Sequence, residues 1–286
     1  MKSVLKVTAA LAAAWLLAGC TALRLAYDNA DTYLLFRAKS YLDLDAKGSD
    51  ELDERIDEFF AWHRRTALPQ YARLSDEAAK RMTRGLSRED LVWGYDSLMA
   101  HARQSLRFAA ERVAPLLDRL TPQQVAHMER RFAEDNRKFA REYLRGSEAE
   151  RRKRRARRVE ERLEDWVGNL SSVQAEKVRQ FSERTPLYDE LRAKDRQRMQ
   201  AEFVDMIRKR EAQKRLPEWI ANWERGRDPA HLAASERFHQ EYVALILELD
   251  KTLAPEQRHR AAANFRRYAE DFRVLARRAR AEPTGK

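Results

Sequence analysis

Apolar residues recur along this chain in narrow stripes at three- and four-residue intervals, with charged residues filling the gaps. Leu52, Ile56, Phe59, Phe60 and His63 fall on one helical face, and Val125, Met128, Phe132, Phe139 and Tyr143 on another. Met199, Phe203, Met206 and Ile207 repeat the pattern, as do Phe238, Tyr242, Ile246 and Leu249, and then Phe265, Tyr268, Phe272 and Leu275. Each stripe is one-sided, so each helix buries that side against a partner and leaves the rest to water. Val, Ile and Thr together number 25 of 286 residues and Gly and Pro 8 each, too few strand and turn formers for a sheet. A hydrophobic content of 43% argues against a disordered chain. Spacing and composition predict an all-α fold, an elongated bundle of long amphipathic helices with short loops. Met and aromatic stripes of this kind read as core rather than as cofactor pocket.

Helix starts are marked by local chemistry. Leu120-Thr121-Pro122-Gln123-Gln124-Val125 places a Thr N-cap before Pro at N1 and Gln at N3, a capping box flanked by a hydrophobic staple. Leu170-Ser171-Ser172-Val173-Gln174 repeats it, Leu253-Ala254-Pro255-Glu256-Gln257 repeats it with a weaker cap, and Leu86-Ser87-Arg88-Glu89-Asp90 is a looser copy. Further starts are expected at Ser49, Thr185-Pro186 and Asp228-Pro229. Pro115 and Pro217 lie inside periodic stretches and are expected to kink or divide them. The uneven intervals between starts exclude a solenoid repeat. The expected organisation is a leader at 1–19, an N-terminal segment at 20–48, a helical part at 49–146, a basic arm at 147–164, a second helical part at 165–281 and a frayed tail at 282–286.

Lys2 and Lys6 precede an apolar run, Val7 to Leu17, that is too short to cross a bilayer as a helix. It ends in Leu17-Ala18-Gly19-Cys20, and Cys20 is the sole cysteine. This ending resembles the bacterial lipobox, which implies removal of residues 1–19 and acylation of Cys20; the plainer reading is a secretory signal with an incidental cysteine. Buried acyl chains contribute about 0.8 kcal/mol per methylene to membrane anchoring. Thr21 stands where an Asp would resemble the inner-membrane retention signal. The expectation is therefore a protein anchored in the outer membrane through Cys20 and facing the periplasm.

The formal charge is +11, and about +9 once Lys2 and Lys6 leave. Much of it sits in one run, where Arg151, Arg152, Lys153, Arg154, Arg155, Arg157 and Arg158 surround a single alanine. Export removes nucleic acid as a partner and leaves lipopolysaccharide, anionic lipid or acidic protein segments as anions for this run. Its plainer reading is a solvated helical arm joining two halves. The segment Trp62-His63-Arg64-Arg65-Thr66-Ala67-Leu68-Pro69-Gln70-Tyr71-Ala72 reads as an αα-hairpin corner, with Trp62 ending one helix, Pro69 opening the next and Tyr71 folding back on Trp62. Trp62, His63, Arg64 and Tyr71 there form a candidate partner-binding cluster, against the plainer reading of aromatics sealing a bend.

Catalytic patterns are missing from the sequence. The six histidines form no H-E-x-x-H pair, the glycines form no phosphate loop, and no G-x-S-x-G elbow occurs. Most carboxylates have a basic residue three or four positions away, as helix-surface ion pairs do. One cysteine excludes an intrachain disulfide and a multi-thiolate metal site. No catalytic residue, metal or cofactor is expected, and the chain reads as a non-enzyme.

The lipobox, Leu25-Ala26-Tyr27 with Asn29, Tyr41-Leu42-Asp43-Leu44-Asp45, Trp62-His63-Arg64 with Leu68-Pro69-Gln70-Tyr71-Ala72, and Trp166-Val167-Gly168-Asn169-Leu170 together resemble an uncharacterised family of proteobacterial lipoproteins, a domain of unknown function. The three Leu-Thr-x-x-Gln-like starts at 120, 170 and 253 are more weakly similar to the Spy- and CpxP-like periplasmic chaperones. That likeness implies capture of unfolded clients on a surface mixing apolar and basic groups. The expected function is non-catalytic binding of an envelope protein or unfolded client, chaperone-like. The rivals are an envelope scaffold or adaptor and a hydrolase acting on peptidoglycan or lipid.

Overall fold

A computed structural model describes residues 22–281, so the leader at 1–19, Cys20 and the tail at 282–286 lie outside the described residues. The described chain is all-helical: after a helical stretch at 22–28 come α1 (Ala30–Leu42), α2 (Ala46–Trp62), α3 (Leu68–Arg84), α4 (Arg88–Leu117) and α5 (Pro122–Phe139). Then follow α6 (Glu148–Val167), α7 (Ser172–Arg184), α8 (Asp189–Arg208), α9 (Ala212–Ala221), α10 (Pro229–Asp250) and α11 (Pro255–Ala281). Pro115 and Pro217 stay inside α4 and α9 and divide neither.

The starts marked by local chemistry form as expected at four places. Thr121 Oγ1 accepts from Gln124 N at 3.2 Å while Thr121 N donates to Gln124 Oε1 at 2.9 Å. Ser171 with Gln174 and Ser87 with Asp90 make the same reciprocal pair, and Asp228 accepts from Ala230 N at 2.7 Å. Two other starts shift. Asp45, not Ser49, caps α2, and α8 begins at Asp189, while the carbonyls at Thr185 and Pro186 accept from Arg side chains. At α11 the reciprocal half survives, with Ala254 N donating to Gln257 Oε1 at 3.1 Å. The Gln174 and Gln257 amides also meet, each donating to the other's carbonyl at 2.9 and 3.0 Å. The α7 and α11 starts are thus fastened side by side through a glutamine that is 1% exposed.

The expected hairpin corner does not occur. Trp62 does not end a helix: α2 passes through a π-helical turn (His63–Ala67) directly into α3, and every backbone angle recorded at the junction is right-handed helical. Leu68 N bonds back to His63 O, one residue wider than an α-turn. The widening has a local reason. Pro69 has no N–H and its ring crowds the carbonyl four residues back, a defect of about 3 kcal/mol in a plain helix interior. A widened turn just ahead of it relieves that crowding without breaking the rod.

The main core gathers Leu42 of α1, Leu52 of α2, Ala110, Ala114, Leu116 and Leu117 of α4, Val125 and Met128 of α5, Val204, Met206 and Ile207 of α8, and Leu216 of α9. Stripes read before and after residues 147–164 therefore share one core. A second core joins α6, α7 and α10 around Phe181, and a third joins Met82 of α3 to Ala261 and Ala262 of α11. The longest association is α3 lying along α11, which brings residues near 80 and near 260 into one layer.

Candidate functional site

Between α3, α4, α6, α10 and α11 the bundle leaves a groove of about 620 Å³ walled by Tyr71, Trp93, Trp166, Tyr242, Phe265, Tyr268 and Phe272. A second cavity of about 390 Å³, reaching toward α6 and α7, shares Leu86, Leu91, Trp166, Tyr242 and Phe265 with it. The rings form a connected wall, with Trp166 4.5 Å from Phe265 and 5.6 Å from Tyr268 between centroids. The mouth lies on the first half of α4, where Tyr95 and Leu98 are about half exposed and Val92 is next to them. Phe265, Tyr268 and Phe272 had read as core; they line the groove, and only Leu275 of that stripe is fully buried. A 3-4 spacing demands an apolar surroundings, and a groove wall meets that demand as well as a core does. The larger hollow between α4 and α10, about 720 Å³, carries both signs of charge instead.

Polar groups at the groove edge are committed to the fold. Asp90, 5% exposed, accepts from Arg84 and from Arg81 at 2.7 Å and from Ser87 N at 3.0 Å. The Arg84 and Ser87 hydrogen bonds, with Arg81 behind them, hold its carboxyl well below the usual carboxylate range. Arg81 in turn lies 3.9 Å over the Trp93 ring, fixing that wall of the groove. Asp250 accepts from Arg258 at 2.7 Å and Leu86 N at 3.1 Å. The other buried carboxylates are likewise engaged: Asp118 caps the start of α9 through Ala212 N at 2.7 Å, Asp195 holds Arg198 and Arg227, and Asp271 holds Arg24. Among the described residues no three His, Cys, Asp or Glu side chains come together as a metal-ligand set.

The cluster at Trp62, His63, Arg64 and Tyr71 is assembled along a continuous helix, not at a hairpin corner. Trp62 stacks on Phe108 of α4 at 4.4 Å, and Tyr71 faces His63, His101 and Phe272 rather than Trp62. Tyr71 thereby belongs to the groove. His63 is half-buried, with Nδ1 2.8 Å from the Tyr27 hydroxyl. Burial, helped by the neighbouring Arg64 charge, pushes its ring down to about 4, so it is neutral at ordinary pH. Arg64 lies 5.8 Å over the Tyr27 ring and 5.9 Å over Phe60.

The basic run does not form a solvated arm. On α6 its residues point in every direction around the helix, and those at 151, 152 and 155 face inward. Arg152 donates to the carbonyls of Ser182, Glu183 and Thr185, and Arg155 to those of Ser182, Thr185 and Pro186. Two guanidinium groups thus close the C-terminal end of α7, where carbonyls lack helical partners and the helix dipole is negative. Burial, then the adjacent Arg152, pulls Arg155 down to about 10. Arg151 pairs with Glu190, Arg154 with the carbonyl of Arg145, and Arg158 covers the Tyr143 ring at 5.1 Å. Lys153 and Arg157 are exposed, and Arg157 is held by Glu161 at 2.9 Å.

The groove was missed in the sequence, although Trp93, Trp166 and the α11 aromatics were visible there; nothing local signals that five helices leave space between them. No helix of the described residues is long and apolar enough to cross a membrane. The sequence profile of a family of unknown function (DUF6279) matches residues 40–226. No curated protein and no solved structure matches the chain.

Proposed function

We propose that this chain, which belongs to the family of unknown function DUF6279, is a non-catalytic binding protein of the bacterial envelope that holds apolar polypeptide segments in its aromatic groove. The observation that carries this reading is the groove itself, about 620 Å³ with eight aromatic side chains, Tyr95 among them at an exposed apolar mouth on α4. Aromatic rings offer large contact area at small entropic cost and accept varied side chains, as client binding requires. Engagement of the buried carboxylates in caps and ion pairs supports binding over turnover, because each is occupied by a structural partner. The lipobox-like Leu17-Ala18-Gly19-Cys20 supports delivery to the outer membrane, with the body on the periplasmic side.

The test is suppression of aggregation of an unfolded client by stoichiometric amounts of the full chain. Suppression is expected in both low and moderate salt, because the groove is apolar. It should weaken severalfold in Trp93→Ala and Phe265→Ala variants whose helical content is unchanged. No suppression by the parent protein at either salt concentration overturns the chaperone reading. In-cell crosslinking from Leu98 that yields one constant partner points to a scaffold instead.

A further inference from the structure

On the same two helices as the aromatic groove, where Ala72 and Arg273 follow the groove residues Tyr71 and Phe272, five arginines from two distant segments converge on a separate pocket. Arg64 and Arg65 from the π turn, Arg73 from α3, and Arg273 and Arg277 from α11 surround about 260 Å³. Pro69, Ala72 and Ala276 form the floor between them, and their short side chains leave the space open. No carboxylate lines it. Arg273 is engaged by Asp76 and Glu270, and Arg277 by Glu270 at 2.9 Å. Arg64, Arg65 and Arg73 have no ion-pair partner among the described residues. Arg64 is instead steadied by the Tyr27 and Phe60 rings, so its guanidinium is placed before any ligand arrives. Three uncompensated planar forks around a small hollow match the bidentate geometry of a phosphate oxyanion.

The pocket also sits where the described chain begins. Arg24 pairs with Asp271 at 2.5 Å and Asp28 with Arg278 at 2.6 Å, which lays residues 22–28 against the same stretch of α11 that supplies Arg273 and Arg277. Cys20 precedes that stretch by two residues. Leu25, Tyr33 and Phe36 in the first two helical segments are each more than 60% exposed. Exposed Leu25 on the segment laid against this stretch of α11, followed along the chain by exposed Tyr33 and Phe36, gives the N-terminal end the composition of a bilayer interface rather than of a site for a soluble ion.

We infer that this arginine pocket binds the phosphate of anionic phospholipid headgroups and so seats the body of the protein on the membrane surface at its N-terminal end. The inference rests on the membrane location proposed above and is independent of the groove. Whether Cys20 is acylated is read separately, from the mass of the N-terminal peptide.

The experiment compares binding of the full chain to phosphatidylcholine vesicles and to vesicles carrying one-third phosphatidylglycerol, and the leader with Lys2 and Lys6 is common to every variant compared. At about 1 kcal/mol for each basic residue at an anionic surface, three free arginines give a preference of roughly 100-fold at low ionic strength. That preference should collapse in 0.5 M salt and in the R64Q/R65Q/R73Q variant. The variant K153Q/R154Q/R157Q removes the same charge from α6 and should keep the preference; circular dichroism melting checks that both fold. Equal loss in the two variants, or a preference that survives R64Q/R65Q/R73Q, overturns the inference. So does thermal stabilisation by millimolar inorganic phosphate without any vesicle preference, which identifies a soluble-anion site.

Discussion

Two arginine-rich regions of this molecule behave in opposite ways. On α6, seven basic residues in a row of eight are dispersed by the helix; of the inward-facing ones, Arg152 and Arg155 are consumed by the carbonyls that end α7 and Arg151 by Glu190. The hollow beside them, about 550 Å³, also contains Glu160 and Glu183. At the π turn, arginines more than 200 positions apart meet around a pocket that holds no carboxylate. Density of charge along a chain is therefore a poor measure of density on a surface. An α-helix turns about 100° per residue, so consecutive like charges are the ones least able to act together.

The largest effect that could break this comparison lies at Arg155. Arg155→Met removes the donors to three carbonyls at a buried helix end and should cost about 2–4 kcal/mol in urea unfolding. Arg65→Met at the exposed π turn should cost nearly nothing in the same measurement. Equal costs would mean that both sets are structural.

A similar effect should appear as a dependence on pH. His63, beneath Arg64, titrates near 4 in the folded protein against about 6.5 in the unfolded chain. The unfolded state then binds the additional proton between those values, so stability is complete above pH 6.5 and falls as pH drops toward 4. The expected loss between pH 7 and pH 4.5 is about 2–3 kcal/mol, read from urea midpoints. His63→Gln should flatten that part of the profile, and an unchanged slope would assign it to other groups.

The smallest effect belongs to the exposed side of α6. Lys153→Ala and Arg157→Ala should each change stability by no more than about 0.5 kcal/mol, since exposed single charges and i,i+4 pairs contribute little. A larger loss in the urea midpoint of either variant would show that the dispersed charges still act as a set.

What could be read from the sequence was local. The Thr121 and Ser171 boxes need only four consecutive residues, and both form as expected. The apolar stripes identified helix faces, but a stripe reports an apolar surroundings and not whether that space is filled. Leu275 is buried while Phe272, three residues earlier, lines the groove. Pro69 misled for a related reason. Proline after a polar stretch resembles a helix N-terminus, and relief by one widened turn leaves no residue-type signature. The pairing of the Gln174 and Gln257 amides was equally out of reach, because each capping motif is complete by itself.

The π turn also bears on insertions and deletions in this chain. A five-residue turn spends one residue more than an α-turn, yet the helix before it and the helix after it both keep the faces they bury, Phe60 on one side and Leu68, Ala72 and Ala79 on the other. The rod is thus out of phase with its own sequence period by one position, and the mismatch is stored in His63–Ala67 rather than passed on to the long contact between α3 and α11. Elsewhere along α3 a one-residue change in length would turn every later side chain by about 100° away from α11. At this turn the same change alters only the pitch, which makes it the point of the rod where chain length and surface register are free to vary separately.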